Sequence, residues 1–289
     1  MRFVVGQSGD TTAVYALTNN GAVDLTHADP TLGPDLAALI RRGDDGLERA
    51  RQLMSAARQP VSPSGITPAL PLRSCGKIIC LGLNYVDHAK EGGYDVPDYP
   101  ALFMRGMTSM VAAEAPIVRP RCSERLDYEV ELMVIIGRGG RHIDRADALD
   151  HVFGYTVFND ASVRDYQRKT HQWTPGKNFD ATGAVGPAVV TPDELPSGAA
   201  GLRIQSRLNG EIMQDADTGD MMFKVDQTIA ILSEVMTLEP GDMIAMGTPP
   251  GVGHARKPPV WMKPRDVVEA EIEGIGVLRN PVIDEVAPK

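Results

Sequence analysis

The chain has 289 residues, 43% hydrophobic and 23% charged, with a net charge of −9. This is the composition of an ordinary globular protein, with room for one large domain or two unequal ones. The acidic balance argues against nucleic acid or an anionic membrane as a partner, since both need a basic face; it leaves a small anionic substrate open, because a local pocket can still be cationic. Cys75, Cys80 and Cys122 are too few and too irregular for a disulfide framework or a zinc site, and read as buried thiols in a reducing compartment. The opening from Met1 to Gly6 lacks the apolar core of a signal peptide, and no apolar run reaches the length of a membrane span, so the expected location is cytoplasmic.

Residues 1–70 read as a small α+β unit. Phe3-Val-Val and the run Ala13 to Leu17 flank polar residues and suggest a hairpin; Asn20-Gly21 is a type I′ turn signal. A helical stretch from Pro34 to Ala57 is interrupted near Gly43 to Gly46, and the prolines between Pro60 and Pro71 mark a linker. Nothing in this unit points to chemistry.

The remainder, 71–289, carries the candidate residues. A strand from Lys77 to Gly82 leads into a helical turn bearing His88 and Glu91, three apart and therefore on one face. A carboxylate against an imidazole orients it and raises its basicity, as a general base requires; a surface His beside a surface Glu would give the same spacing. Beyond Phe103-Met104-Arg105, the segment from Leu126 to Gly137 reads as one strand containing Glu129 and Glu131. Residues i and i+2 of a strand share a face, roughly 7 Å apart at the backbone. Two like charges on so apolar a segment need neutralising, which a hard divalent cation can do, unless the strand is an edge whose glutamates face water. The next strand, Val152 to Asp160, ends in a residue suited either to ligating a metal or to capping a helix from Ala161 to Gln167. Lys177 lies in a loop from Trp173 to Asp180.

Strands from Leu202 to Leu208 and from Glu211 to Gln214 flank Asn209-Gly210, a second type I′ signal. Val225 to Met236 has helical periodicity, and a strand from Met243 to Met246 precedes the glycine-rich turn Gly247 to Gly253. That turn can aim N–H groups and the Thr248 hydroxyl at an anion, but lacks the Lys and helix of a nucleotide P-loop. An alternating strand from Val267 to Glu273 and the segment Gly274 to Pro281 close a region that is more α+β than doubly wound.

Several segments in order carry a resemblance: Leu83-Asn-Tyr-Val-Asp-His88, Asp127-Tyr-Glu-Val-Glu131, Gly154 to Asp160, Arg164-Asp-Tyr-Gln167, Gly176-Lys-Asn-Phe-Asp180, Gly247-Thr-Pro-Pro-Gly-Val-Gly253 and Gly274 to Pro281. From about Lys77 to Val282 the chain resembles the fumarylacetoacetate hydrolase superfamily. The resemblance implies a β-rich α+β fold, a mixed β-roll, homodimeric in most members. It implies Mg²⁺ or Mn²⁺ held by Glu129, Glu131 and Asp160, and a His88–Glu91 dyad on a segment that closes over substrate. Lys177 falls beside the metal, and Arg164, Gln167 and Thr248 fall at positions that contact substrate or support the site. Many members have Phe-x-Lys-Pro where this chain has Phe103-Met-Arg105-Gly106, so Arg105 is an expected substrate contact whose altered shape points to a different substrate. The activity implied first is hydrolysis of a carbon–carbon bond in an acylpyruvate or 2,4-diketo acid, by water activated at His88. The same site could decarboxylate or isomerise a 2-oxo acid such as oxaloacetate. A non-catalytic protein with a structural Ca²⁺ fits less well, since it needs neither the dyad nor Lys177.

Overall fold

The computed structural model describes residues 1–286 apart from positions 10, 58 and 94, so the last three residues of the expected 71–289 unit lie outside the described residues. Strands β1 (Arg2–Ser8), β2 (Thr11–Thr18) and β3 (Gly21–Asp24) open the chain. Thr18 pairs with Gly21, leaving Asn19 and Asn20 as the loop, and neither has a positive φ. The type I′ turn expected at Asn20-Gly21 is therefore not formed; the glycine lies in the first strand pair, not in the turn. Helices α1 (Leu25–Ala28), α2 (Ala37–Arg41) and α3 (Gly43–Ala56) follow. The break expected near Gly43 to Gly46 is formed at its first residue: Arg42 keeps helical angles, and Gly43 takes a φ of 54°. From there α3 continues, and Asp44 and Asp45 suit the positive end of its dipole.

Strand β4 (Thr67–Pro68) pairs with β1, so the proline-rich stretch is partly ordered into the sheet. Next come β5 (Ile78–Gly82), α4 (Val86–Glu91), β6 (Ala101–Arg105), β7 (Met110–Ala112) and β8 (Ile117–Arg119). The segment expected as one strand from Leu126 to Gly137 is split into β9 (Leu126–Asp127) and β10 (Val130–Ile136). The cause is pairing: β9 leaves to pair with β12 (Ser162–Val163), whereas β10 pairs with β11 (Val152–Asp160). The helix expected from Ala161 is reduced to α5 (Arg164–Gln167) by that β12 pairing, and the expected loop at Lys177 contains a single turn, α6 (Thr174–Lys177).

Strands β13 (Gly183–Val190), β14 (Arg203–Leu208) and β15 (Glu211–Asp217) precede α7 (Val225–Val235). Asn209 and Gly210, with φ of 54° and 84°, form the β14–β15 turn with the two positive φ angles that type I′ requires. Strands β16 (Met243–Ala245), β17 (Val267–Ile272) and β18 (Gly276–Asp284) complete a strand-rich α+β fold.

Among the described residues, eleven strands form one mixed sheet in the order β3-β2-β1-β13-β11-β10-β16-β5-β6, with β4 on β1 and β7 on β13. A second sheet has the order β15-β14-β17-β18-β8. Strands β10 and β11 are buried along their whole length, which explains their nearly continuous apolar sequences. Alternation sorts their side chains. Leu132, Val134 and Ile136 share a core with Ile204, Val268 and Ile272 of the second sheet, while Met133 and Ile135 share one with Leu36, Leu39 and Ile40 around α2. Each such side chain, fully buried, contributes about 1.5–3 kcal/mol. Segment 1–70 is tied into this frame by β1, which pairs with β13 through Arg2–Val190 and Phe3–Val189.

Strand direction gathers the site. β5 runs parallel to β16, and β10 antiparallel to both β16 and β11. The start of β10, the end of β11, and the ends of β5 and β16 therefore meet at one rim of the sheet. Of the three cysteines, Cys80 is buried, Cys75 half-buried and Cys122 exposed, so the expectation of three buried thiols holds for Cys80 alone. Among the described residues no helix is long and apolar enough to cross a membrane.

Candidate active site

Glu129 lies between β9 and β10, yet keeps its place in the ladder: its carbonyl accepts the Asp160 N–H at 2.9 Å, and its own N–H donates to the Asn159 side-chain oxygen at 3.0 Å. Glu129 thus sits opposite Asp160, and Glu131, two residues on, falls on the same face. Carboxylate oxygens of Glu129, Glu131 and Asp160 all lie within 4.8 Å of one another, and all three residues are buried. The edge-strand alternative is thereby excluded for the glutamates. Asp160 is not a helix cap either, because α5 starts four residues later without a side-chain cap.

The three carboxylates have unequal surroundings. Glu129 is approached by Arg164 Nη2 and by Lys177 Nζ, each at 2.5 Å. Burial raises its pKa, but Arg164, Lys177 and His88 outweigh burial and hold it well below the usual carboxylate range. Lys177 Nζ also donates to Asp160 at 2.5 Å, and Arg105 Nη1 donates to the other Asp160 oxygen. Glu131 accepts the Gly247 N–H at 2.9 Å, and burial together with Asp160 and Glu129 pushes its pKa well above the usual range. Lys177 stays a cation: burial opposes its charge, but Asp160 and Glu129 raise its pKa above the ordinary lysine value.

This donor set fits a hard divalent cation. It offers oxygen atoms only, buried and converging, and one member, Glu131, whose ionisation is suppressed by burial and then by the charge of the other two. A dication there removes the repulsion that raises the Glu131 pKa. Since that carboxyl must ionise to ligate, metal affinity is expected to rise with pH below the Glu131 pKa, about tenfold per unit, and then to level off. Calorimetric titration with Mg²⁺ in buffers of different ionisation enthalpy checks this through the proton released; binding without proton release would contradict it.

His88 and Glu91 are in contact, Nδ1 to Oε1 at 2.9 Å, and Glu91 also accepts the Gly251 N–H at 3.0 Å. With Glu91 as acceptor, Nδ1 carries the proton and Nε2 is the free basic nitrogen. His88, Lys177, Arg164, Gln167 and Thr248 line one cleft with the three carboxylates at its floor. Gln167 accepts from Arg164 Nη1 at 2.9 Å. The Thr248 hydroxyl donates to the Val130 carbonyl at 2.9 Å and accepts from Gln214 at 2.7 Å, which fixes the glycine-rich turn to β10. Arg105 is not placed as expected. Its guanidinium is fully buried behind Asp160, bonded also to Ser109 at 3.2 Å and Thr182 at 2.8 Å, and it does not line the cleft. Its altered shape relative to lysine therefore bears on how Asp160 is held rather than on what the cleft touches.

Two supporting residues escaped the sequence reading. Asp127, wholly buried, accepts Arg164 Nε at 2.8 Å and the N–H groups of Gly253 and His254 at 2.8 and 2.9 Å. One carboxylate thereby aims Arg164 at Glu129 and pins the end of the 247–253 turn. Its signal was present: it precedes Glu129 by two residues, on the same alternation. Gln214 had none, since its partners Val130 and Thr248 are remote in sequence. Glycine is required at three positions of that turn: Gly247 has a φ of 87° while donating to Glu131, Gly251 has a φ of 102°, and a Cβ on Gly253 would lie 2.0 Å from the Val260 carbonyl.

The family described as Fumarylacetoacetate (FAA) hydrolase C-terminal matches residues 77–283. Oxaloacetate tautomerase fahd2, mitochondrial, of Xenopus laevis is 40% identical over 289 residues, 98% of this chain and 90% of that protein. Oxaloacetate tautomerase FAHD2A, mitochondrial, of Homo sapiens is 43% identical over 266 residues, 91% of this chain and 84% of that protein. The structure of fumarylacetoacetate hydrolase (EaFAH) from psychrophilic Exiguobacterium antarcticum superposes with a TM-score of 0.85 at 33% identity, covering 99% of this chain and 100% of that one. With the matched region spanning most of the chain and the superposition covering 99% of it, this protein is an enzyme of the fumarylacetoacetate hydrolase superfamily.

Proposed function

We propose that the protein interconverts the enol and keto forms of a four-carbon 2-oxo diacid of the oxaloacetate class. The observation that carries this reading is the likeness, over nearly the full length, to two proteins named as oxaloacetate tautomerases. It reverses the order expected from the sequence, where carbon–carbon hydrolysis stood first and isomerisation second. Glu129, Glu131 and Asp160 would hold Mg²⁺ or Mn²⁺, which would supply Lewis acidity for charge on the 2-oxo oxygen.

The residues divide the remaining work. Lys177, kept protonated between Glu129 and Asp160, presents a fixed positive charge to the enolate oxygen in a site where water is scarce. His88 moves the proton: in the keto-to-enol direction Nε2 takes it from the carbon next to the 2-oxo group, and an equivalent proton is returned to the oxygen; the reverse runs the same path. Glu91 stabilises the imidazolium formed on the way. No water is consumed and no carbon–carbon bond breaks, so a single base suffices.

The reading is tested by adding the enzyme and Mg²⁺ to enol oxaloacetate and following loss of enol absorbance, with solvent deuterium entry at the adjacent carbon. Acceleration without release of pyruvate supports tautomerisation. Pyruvate and CO₂ would instead assign decarboxylation, and cleavage of acylpyruvates without effect on the enol would restore the hydrolase.

A further inference from the structure

The cleft is polarised: an acidic floor lies at one end and unpaired positive charge at its mouth. Arg168 follows α5 directly, one residue beyond Gln167, and lines the cleft beside Arg164 and His254. It also borders the adjoining surface depression formed by Thr170, His171 and Trp173. Among the described residues no carboxylate pairs with its guanidinium, whereas Arg105, Arg164 and Lys177 are each paired with acids. His254 stacks near Trp261 at 5.8 Å, and its Nδ1 is buried without a hydrogen-bond partner. Burial lowers the His254 pKa, and Arg168 and Arg164 lower it further, as expected at a spot of positive potential.

Charge balance gives this mouth a purpose. The floor holds four buried carboxylates, Asp127, Glu129, Glu131 and Asp160, against three buried cations, Arg105, Arg164 and Lys177. With all four carboxylates ionised, as metal ligation requires, a bound dication leaves the floor with a single positive charge. One substrate carboxylate cancels that. A second carboxylate therefore gains nothing further from the floor, and needs a cation of its own.

We infer that Arg168 is a specificity-determining residue, which binds the far carboxylate of a dianionic 2-oxo acid and selects it over monoanionic 2-oxo acids of equal length. This rests on the tautomerase reading for the substrate class, but not for the reaction. The unused Nδ1 of His254 lies on the same wall.

The test is equilibrium binding rather than turnover. Oxaloacetate and 2-oxobutyrate share a four-carbon 2-oxo acid frame and differ only in the far carboxylate. Each is titrated into the Mg²⁺-loaded protein, with the fluorescence of Trp173, which lines the cleft, as signal. A charge-assisted hydrogen bond of ordinary strength corresponds to a preference for oxaloacetate of roughly tenfold to a hundredfold. In Arg168→Gln that preference is expected to collapse to within about threefold, through weaker oxaloacetate binding, and Arg168→Lys is expected to retain part of it. Because Arg168 is exposed, neither change disturbs the core. A wild type without preference, or a preference that survives in Arg168→Gln, overturns the proposal. The preference present and lost on substitution, with no acceleration of the enol–keto exchange, upholds this inference while removing the tautomerase reading.

Discussion

Glu129→Gln is expected to destabilise the metal-free protein by about 3 kcal/mol at pH 7, whereas Glu131→Gln is expected to leave its stability unchanged or raise it; both are expected to abolish any stabilisation by added Mg²⁺. The contrast follows from what surrounds each carboxylate. Glu129 faces two buried cations, and removing one partner of a buried ion pair costs about 3–5 kcal/mol. The low end applies, because Arg164 keeps Asp127 and Lys177 keeps Asp160. Glu131 instead faces two other acids, and its pKa is raised, so folding favours its protonated form. Uncharged glutamine copies that form without the cost of proton uptake at neutral pH. The pH dependence separates the two further. The contribution of Glu129, whose pKa is depressed, is fully present above the unfolded value and is lost only as pH falls through its folded value; wild type and Glu129→Gln therefore converge only in strong acid. The penalty at Glu131 has the opposite sign: it appears as pH rises past the unfolded value. Urea titrations of the metal-free proteins at several pH values measure both. Equal destabilisation by the two substitutions would show that the carboxylates do not differ in this way.

Under the proposed tautomerase activity, His88→Ala is expected to lower the rate of enol–keto exchange by about 10²–10⁴, the range for loss of a positioned general acid–base group. Metal binding is expected to persist, since the ligand cluster consists of Glu129, Glu131 and Asp160 and does not include His88. Glu91→Gln gives a smaller loss, because the imidazole stays while the anion that orients it and stabilises its charged form is gone. Stopped-flow enol decay with and without Mg²⁺, paired with calorimetric Mg²⁺ affinity, separates the two roles. Exchange at the wild-type rate in His88→Ala would remove His88 as the proton carrier and leave Lys177 as the group to test.

The residues legible in the sequence were those whose chemistry and spacing are local. Glu129 and Glu131 share strand parity, and His88 and Glu91 share a helical face; the structure brings both pairs together. Asp160 had two open roles, and only the β10–β11 register, which sets it opposite Glu129, decides between them. Long-range partners were not legible. Gln214 reaches Thr248 and Val130 from another sheet, and Arg105 turns away from the cleft because Thr182 and Ser109 hold it behind Asp160. Local pattern also misjudged elements whose pairing overrides propensity. Ser162 and Val163 become a strand because Leu126 and Asp127 are available to them, and Thr174 to Lys177 makes one helical turn despite its Pro and Gly.

The pairing of β1 with β13 has a consequence for where the molecule can be cut. The matched family region starts at residue 77, but the sheet it contains continues through β1 into β2 and β3. A fragment trimmed to that region would present the β13 backbone around Val189 and Val190 as an open edge, and would bare Phe153, which stacks on Phe3 at 6.0 Å. Unpaired apolar edges invite strand addition from neighbouring molecules. Strand β1 thus acts as a built-in edge guard, and a fragment trimmed to the matched region is expected to associate through the edge it loses.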